Sequence, residues 1–203
     1  MNQVTDAFIR EAKILSEIII LMYKEAFLEE FQPFAPKCIY TSREPPYEAI
    51  VLEDLKRKGF TLAKVSLGLD LKHCLLVIRT IAQFHASALI LRQKDPHLFG
   101  LFIESHFIKH FNAGMNRLIQ TCLKNLVEEI NRWPGYEKYI ETLKKLMSTG
   151  MNHWIEAVRN DDTEFNVLNH GDLWLNNMMF SYSEESGEVQ HVRRVYSLDY
   201  IIL

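Results

Sequence analysis

A chain of 203 residues is long enough for one domain with a real core, or for one large domain with an appendage. Its composition, 48% hydrophobic and 24% charged, is that of an ordinary soluble globular protein. The net charge of −3 gives no bulk electrostatic reason to expect a nucleic-acid partner. Cys38, Cys74 and Cys122 are odd in number and widely spaced, with no C-x-x-C pair. That argues against a disulfide framework or a thiolate zinc site and for a reducing compartment. The most apolar run, Ile18 to Met22, is too short to cross a bilayer, and the opening MNQVTDAFIREAK has no secretory pattern. A cytoplasmic protein with no membrane partner is the expectation.

From Thr5 to about Phe31 the spacing predicts a helix, with Phe8, Ala12, Leu15, Ile19 and Met22 at three- and four-residue steps. Pro33 and Pro36 end it. YEAIVLEDL (47–55) predicts a short buried strand. Asp70 reads as the N-cap of a long helix to about Arg92, with Leu71, Leu75, Ile78, Ile81, Ala82, His85 and Leu89 as its buried stripe. Helices over roughly 103–131 and 135–159 follow, split by the Trp133-Pro134-Gly135 break. FNVLN (165–169) and NMMFS (177–181) predict two more strands, and SEESGEV a turn. HVRRVYSLD (191–199) predicts a last strand with Val195, Ser197 and Asp199 on one face. No internal repeat or low-complexity linker is visible. A mostly helical body carrying a small β unit is the expected architecture.

The chemistry concentrates in NHGDLWLNN (169–177), where polar groups sit beside Leu173, Trp174 and Leu175. The pattern is H-x-D-x-x-x-x-N at His170, Asp172 and Asn177, followed by a hairpin and Asp199 at a strand end. Phosphoryl transfer needs a carboxylate to take the proton of the attacking hydroxyl, and oxygen ligands to hold magnesium on nucleotide phosphates. Asp172 suits the first role. Asn177 and Asp199 suit the second, because magnesium prefers hard oxygen ligands. Leu173 and Leu175 are expected to anchor the loop from below, and Trp174 to pack. Taken singly, each residue has a plainer reading: Asp172 as a cap, the paired Asn as turn residues, Asp199 as a solvated strand end. His170 is expected to hold backbone and His85 to be a core residue. A zinc or dinuclear hydrolase would need further ligands at matched spacing. The other histidines are scattered, His106 and His110 standing alone at i, i+4.

VLNHGDLWLNNMMF followed by VYSLDY resembles the ecdysteroid kinase-like family, also called CHK kinase-like. Its members are related to choline and aminoglycoside kinases within the protein-kinase-like fold. IVLEDLKRKGF and LGLDLKHCLLVIRTIAQFHASAL extend the likeness in family order, from about Phe8 to Tyr200. The resemblance implies an α+β, protein-kinase-like fold: an N-lobe remnant over 1–55 and a helical C-lobe over 56–203, within one family-like domain, 8–203. It also implies an ATP- and Mg2+-dependent phosphotransferase acting on an ecdysteroid-like or other small hydroxylated substrate. Asp172 would be the catalytic base, with Asn177 and Asp199 the magnesium ligands. His170, Gly171, Trp174 and Asn176 would support the loop. The stretch Glu53, Asp54 and Leu55 would be the hinge facing adenine. Glu11 would match the helix glutamate that pairs with an N-lobe lysine.

Such a kinase needs a glycine-rich loop and a strand lysine over the phosphates. Both belong upstream of Glu11, yet only seven residues precede Phe8, none of them Gly or Lys, and the chain stops at Leu203. Without those strands the hinge strand is expected to expose apolar edges. The expectation is therefore a partial kinase of little or no activity. The alternative is a non-catalytic, kinase-like binding or regulatory protein. The aromatics of the helical insert (Phe99, Leu101, Phe102, Phe107, Phe111, Trp154) are either an acceptor pocket or ordinary helix packing.

Overall fold

The computed structural model describes residues 3–25, 33–44, 47–63, 68–100, 102, 113–157, 166–194 and 201–202. An N-terminal helical rod comes first: α1 (Gln3–Lys13), a π turn (Ile14–Ile18) and α2 (Ile19–Glu25). Lys13 and Ile19 flank the π turn in ordinary helical geometry, so the rod continues through it. Ala12, Leu15, Ile19 and Met22 are buried, as their spacing predicts, and Ile14 and Ile18 join them. The wider turn, with its i→i+5 bonding, advances the helix face by less per residue.

Two antiparallel strands follow, β1 (Cys38–Ser42) and β2 (Ala49–Leu52), paired from Cys38 opposite Leu52 to Ser42 opposite Ala49 with a register shift between Cys38 and Tyr40. The outer face of this pair is open: Ile39, Tyr40 and Val51 are exposed. The chain then makes a 3-10 turn (Leu55–Lys58) and the short β3 (Thr61–Leu62). Asp70 caps α3 (Leu71–Lys94) by accepting the His73 N–H at 2.9 Å.

Helices α4 (Ala113–Ile130) and α5 (Ile140–Ala157) pack side by side as a hairpin. The turn between them contains Gly135 at φ +86°, a left-handed position that favours glycine. The C-terminal β unit is β4 (Leu168–Asn169), β5 (Met178–Tyr182), β6 (Val189–Arg194) and β7 (Ile201–Ile202). β5 and β6 form the expected hairpin, β3 adds to its β5 edge, and β4 pairs antiparallel with β7. The fold class is α+β.

The main core lies between the rod, Phe34, the C-terminal half of α3 and Phe99 and Phe102. A second cluster joins α3 to the hairpin through Val77, Met178, Phe180 and Val192. A third, of Leu55, Phe60 and Met179, ties the segment after β2 to β5.

Several expectations change. The α3 stripe lies on another face: Val77, Thr80, Phe84, Ser87, Ala88 and Leu91 are buried, while Leu71, Leu75, Ile78 and Ala82 are exposed. This helix is apolar nearly all round, so its own periodicity does not choose a face; contact with α2 and β6 does. By length and composition it alone among the described helices is apolar enough to cross a bilayer, but Phe84, Ala88 and Leu91 sit in the main core. Phe99 and Phe102 pack in that core, as ordinary helix packing. The side chains of Leu101, Phe107, Phe111 and Trp154 lie outside the described residues, as do Val195 and Ser197. The strands β1 and β3 were not expected from the sequence.

The buried face of α3 is open to test. Phe84→Ala should cost about 3–5 kcal/mol of unfolding free energy in urea. Ile78→Ala, on the exposed face, should cost under ~1 kcal/mol. Equal costs would mean that the helix is packed the other way round.

Candidate functional site

The segment 169–177 leaves β4 at Asn169 and returns to the sheet at Met178. Gly171 turns it with φ +78°, a conformation that costs a side-chain-bearing residue energy. His170 is buried, and its Nδ1 accepts the Asp172 N–H at 3.4 Å, which leaves the ring hydrogen on Nε2. Burial first, then the nearby Arg194 charge, pushes this imidazole down to about 4 against the pull of Asp172, so it is neutral at neutral pH. A neutral, buried histidine orients backbone and is a poor proton carrier there.

A 3-10 turn (Leu175–Asn177), closed by the Asn177 N–H on the Trp174 carbonyl at 3.0 Å, swings Asn177 back towards Asp172. The Asn177 Nδ2 donates to the Asp172 carbonyl at 3.0 Å and to its carboxylate Oδ2 at 2.7 Å. Asp172 and Asn177 therefore form one unit. Among the described residues Oδ1 of Asp172 and Oδ1 of Asn177 have no hydrogen-bond partner, so two hard oxygens remain for a proton or a cation. Leu175 packs on the Val77–Phe180 cluster and anchors the loop. Leu173 does not share this role, being 40% exposed, and Trp174 is 52% exposed instead of packed. Asn176 is exposed too.

The segment after β2 shows a division between backbone and side chain. The Glu53 N–H continues the strand pairing to the Lys37 carbonyl at 2.9 Å. Its carboxylate turns away to Arg193 at 2.6 Å, the Lys37 N–H at 2.9 Å and Lys58. Burial raises this carboxyl, but Lys58, the Lys37 N–H and Arg193 together outweigh it and hold the group below the usual carboxylate range. Asp54 spends its side chain capping the 3-10 turn, accepting the Lys56 N–H at 2.9 Å. Leu55 is buried against Met179 and Phe60, and its carbonyl is taken by Gly59 and Phe60. What stays unpaired among the described residues is one acceptor and one donor two residues apart: the Glu53 carbonyl oxygen and the Leu55 N–H. The Leu55–Met179–Phe60 cluster joins this edge to β5, which starts immediately after Asn177.

Glu11, on α1, is half-buried with no partner among the described residues, and burial raises its carboxyl to about 7. Asp199 and Tyr200 lie outside the described residues. The strand just beyond them is placed: Ile201 pairs with Asn169, next to His170. His85 is half-buried, and burial with the Arg194 charge lowers it against an Asn169 hydrogen bond, so it is a core residue. Among the described residues no three His, Cys, Asp or Glu side chains gather where they could hold a metal. His106 and His110 fall outside them.

Two residues escaped the sequence reading. Arg193 lies over the Phe60 ring at 4.9 Å and ties Glu53 to β6. Arg194 is fully buried between Phe34 and Phe84, 5.7 and 5.3 Å from the ring centroids, and donates to the Thr80 carbonyl at 3.3 Å. The available signal was a pair of arginines in the middle of an otherwise strand-like run, HVRRV.

Glu11 yields a pH test. Its folded-state value of about 7 lies above the ordinary 4.5, so the folded chain holds this proton more tightly than the unfolded one. Its contribution therefore weakens stability as pH rises through that window. Glu11→Gln should raise the thermal midpoint at pH 8 and leave it unchanged near pH 4. A variant that is less stable than the parent at pH 8 would show that the carboxylate has a partner.

No curated protein and no solved structure matches the chain at a significant level. The model of the ecdysteroid kinase-like family matches residues 1–201. Its span takes in the paired Asp172 and Asn177, the Glu53–Leu55 edge and Glu11, and the chain belongs to the ecdysteroid kinase-like family.

Proposed function

We propose that the chain is built as a small-molecule kinase of the protein-kinase-like fold. In this reading a phosphoryl group passes from ATP to a hydroxyl of a small acceptor, an ecdysteroid-like or other hydroxylated compound. The observation that carries the reading is the Asp172–Asn177 unit, 2.7 Å across, set on a buried neutral histidine. Family membership supports the kinase class.

Each residue then has a defined task. Asp172 accepts the proton of the acceptor hydroxyl through Oδ1 as that oxygen attacks the terminal phosphorus. The Asn177 amide holds Oδ2 of Asp172, which fixes the direction of the base. Asn177 Oδ1 and Asp199 are the oxygens that would hold magnesium, whose charge, when bound, offsets that of the phosphates. The pairing of Ile201 with Asn169 returns the chain beyond Asp199 to the strand that feeds the loop, which favours this assignment. Adenine presents one donor and one acceptor on its outer edge, and the Glu53 carbonyl and the Leu55 N–H have the matching polarity. Gly171 and His170 set the loop's path. Trp174 and Asn176, exposed beside the base, are placed to meet an acceptor. The free cysteines fit a reducing cytoplasm.

A second reading, non-catalytic binding, is favoured by Glu11. A kinase pairs this helix carboxylate with a lysine, and among the described residues it has no cation. Thermal shift with Mg·ATP separates the readings: saturable stabilisation, absent without magnesium, supports the kinase. No shift supports the second reading. On a chain that turns over, Asp172→Asn should lower kcat by about 10²–10⁴ with the thermal midpoint preserved. Turnover surviving that change would remove Asp172 from the base role.

A further inference from the structure

A crevice of ≈ 290 Å³ lies behind the Glu53 edge and shares no lining residue with the 170–177 loop. That size sits at the lower end of small-molecule sites, roughly 300–1,000 Å³. Leu15, Ile19 and Ile20 of the rod form one wall and Pro36 the other. Ile20 is 52% exposed and opens this lining to solvent, while Leu15 and Ile19 are buried in the main core.

The polar groups at this crevice are of one kind. Lys37, Lys58 and Arg193 line it against a single carboxylate, Glu53. Glu53 already takes Arg193 and Lys58, and Lys37 has no ion-pair partner among the described residues. Tyr23 also lines the crevice. Its hydroxyl oxygen accepts the Phe34 and Ala35 N–H groups at 2.9 and 3.2 Å, so both lone pairs are used. The O–H hydrogen has no acceptor among the described residues. The crevice thus offers donors and positive charge beside an apolar wall.

We infer that this crevice binds an amphipathic carboxylate, its apolar chain against Ile20 and its anionic head at Lys37 and Lys58. A cationic amphiphile would add to three like charges, and a neutral alcohol would leave Lys37 without a counter-charge. Because Lys58 and Arg193 also hold Glu53, the bound head competes with the carboxylate that fixes the hinge edge. Occupancy is thereby a means of regulating that edge, a consequence that rests on the kinase reading; the binding itself does not.

The test uses the full chain without nucleotide and octanoate as the probe, read by calorimetry and thermal shift. Octanoate should bind saturably and stabilise the chain, with 1-octanol and octylamine giving no comparable effect. Lys37→Met, at an exposed side chain, should weaken octanoate roughly ten-fold or more, since a charge-assisted contact is lost. Ile20→Trp should abolish binding by filling the mouth with every charge intact. The inference is overturned if the parent chain ignores octanoate, if octanol matches it, or if either variant binds as the parent does. None of these outcomes bears on Asp172 or on phosphoryl transfer, so the two readings fail separately.

Discussion

Two adjacent arginines on one strand hold the parts of this fold together. Successive side chains of a strand point to opposite faces, so Arg193 and Arg194 of β6 reach in opposite directions. Arg193 meets Glu53 and the Phe60 ring, drawing the segment after β2 onto the hairpin. Arg194 passes into the main core between Phe34 and Phe84, and its own N–H bonds the Phe34 carbonyl at 3.0 Å. The N-terminal rod, the segment after β2, α3 and the hairpin converge there.

Burying a guanidinium costs several kcal/mol unless its surroundings compensate. Arg194 is compensated incompletely: Nε and Nη1 have no hydrogen-bond partner among the described residues. Two aromatic faces supply cation–π attraction instead. The same charge reaches His170 and His85 and helps keep both imidazoles neutral. A strand residue in the core thus adds to burial in lowering the imidazole of the loop that carries Asp172. The segment after β2 depends on the neighbouring Arg193, because Glu53 is turned from the unpaired backbone groups by its contacts with Arg193 and Lys58.

Two groups of exposed apolar residues differ in meaning. Ile39, Tyr40 and Val51 lie on the open face of a two-stranded sheet with few neighbours. Leu71, Leu75 and Ile78 lie on the outer face of a helix whose other face is core. Both surfaces come from residues that local pattern marks as interior. Burial is a property of what arrives opposite, which no single element specifies.

The sequence alone determined the features whose physics is local. Asp70 as a cap, the Trp133-Pro134-Gly135 break, the hairpin over 178–194 and the loop order His170, Asp172, Asn177 all rest on neighbours within a few residues. The rod's core positions were legible for the same reason, since a polar face opposes the apolar one. Tertiary structure alone decided the buried side of α3, which is apolar around its circumference, and the pairing of strands as short as β1 and β3. It also decided the contact of Glu53 with Arg193, 140 residues apart, which turns the carboxylate away from the unpaired backbone groups of that segment. Long-range ion pairs leave no periodic trace in a chain, so only the folded arrangement reveals which charge meets which.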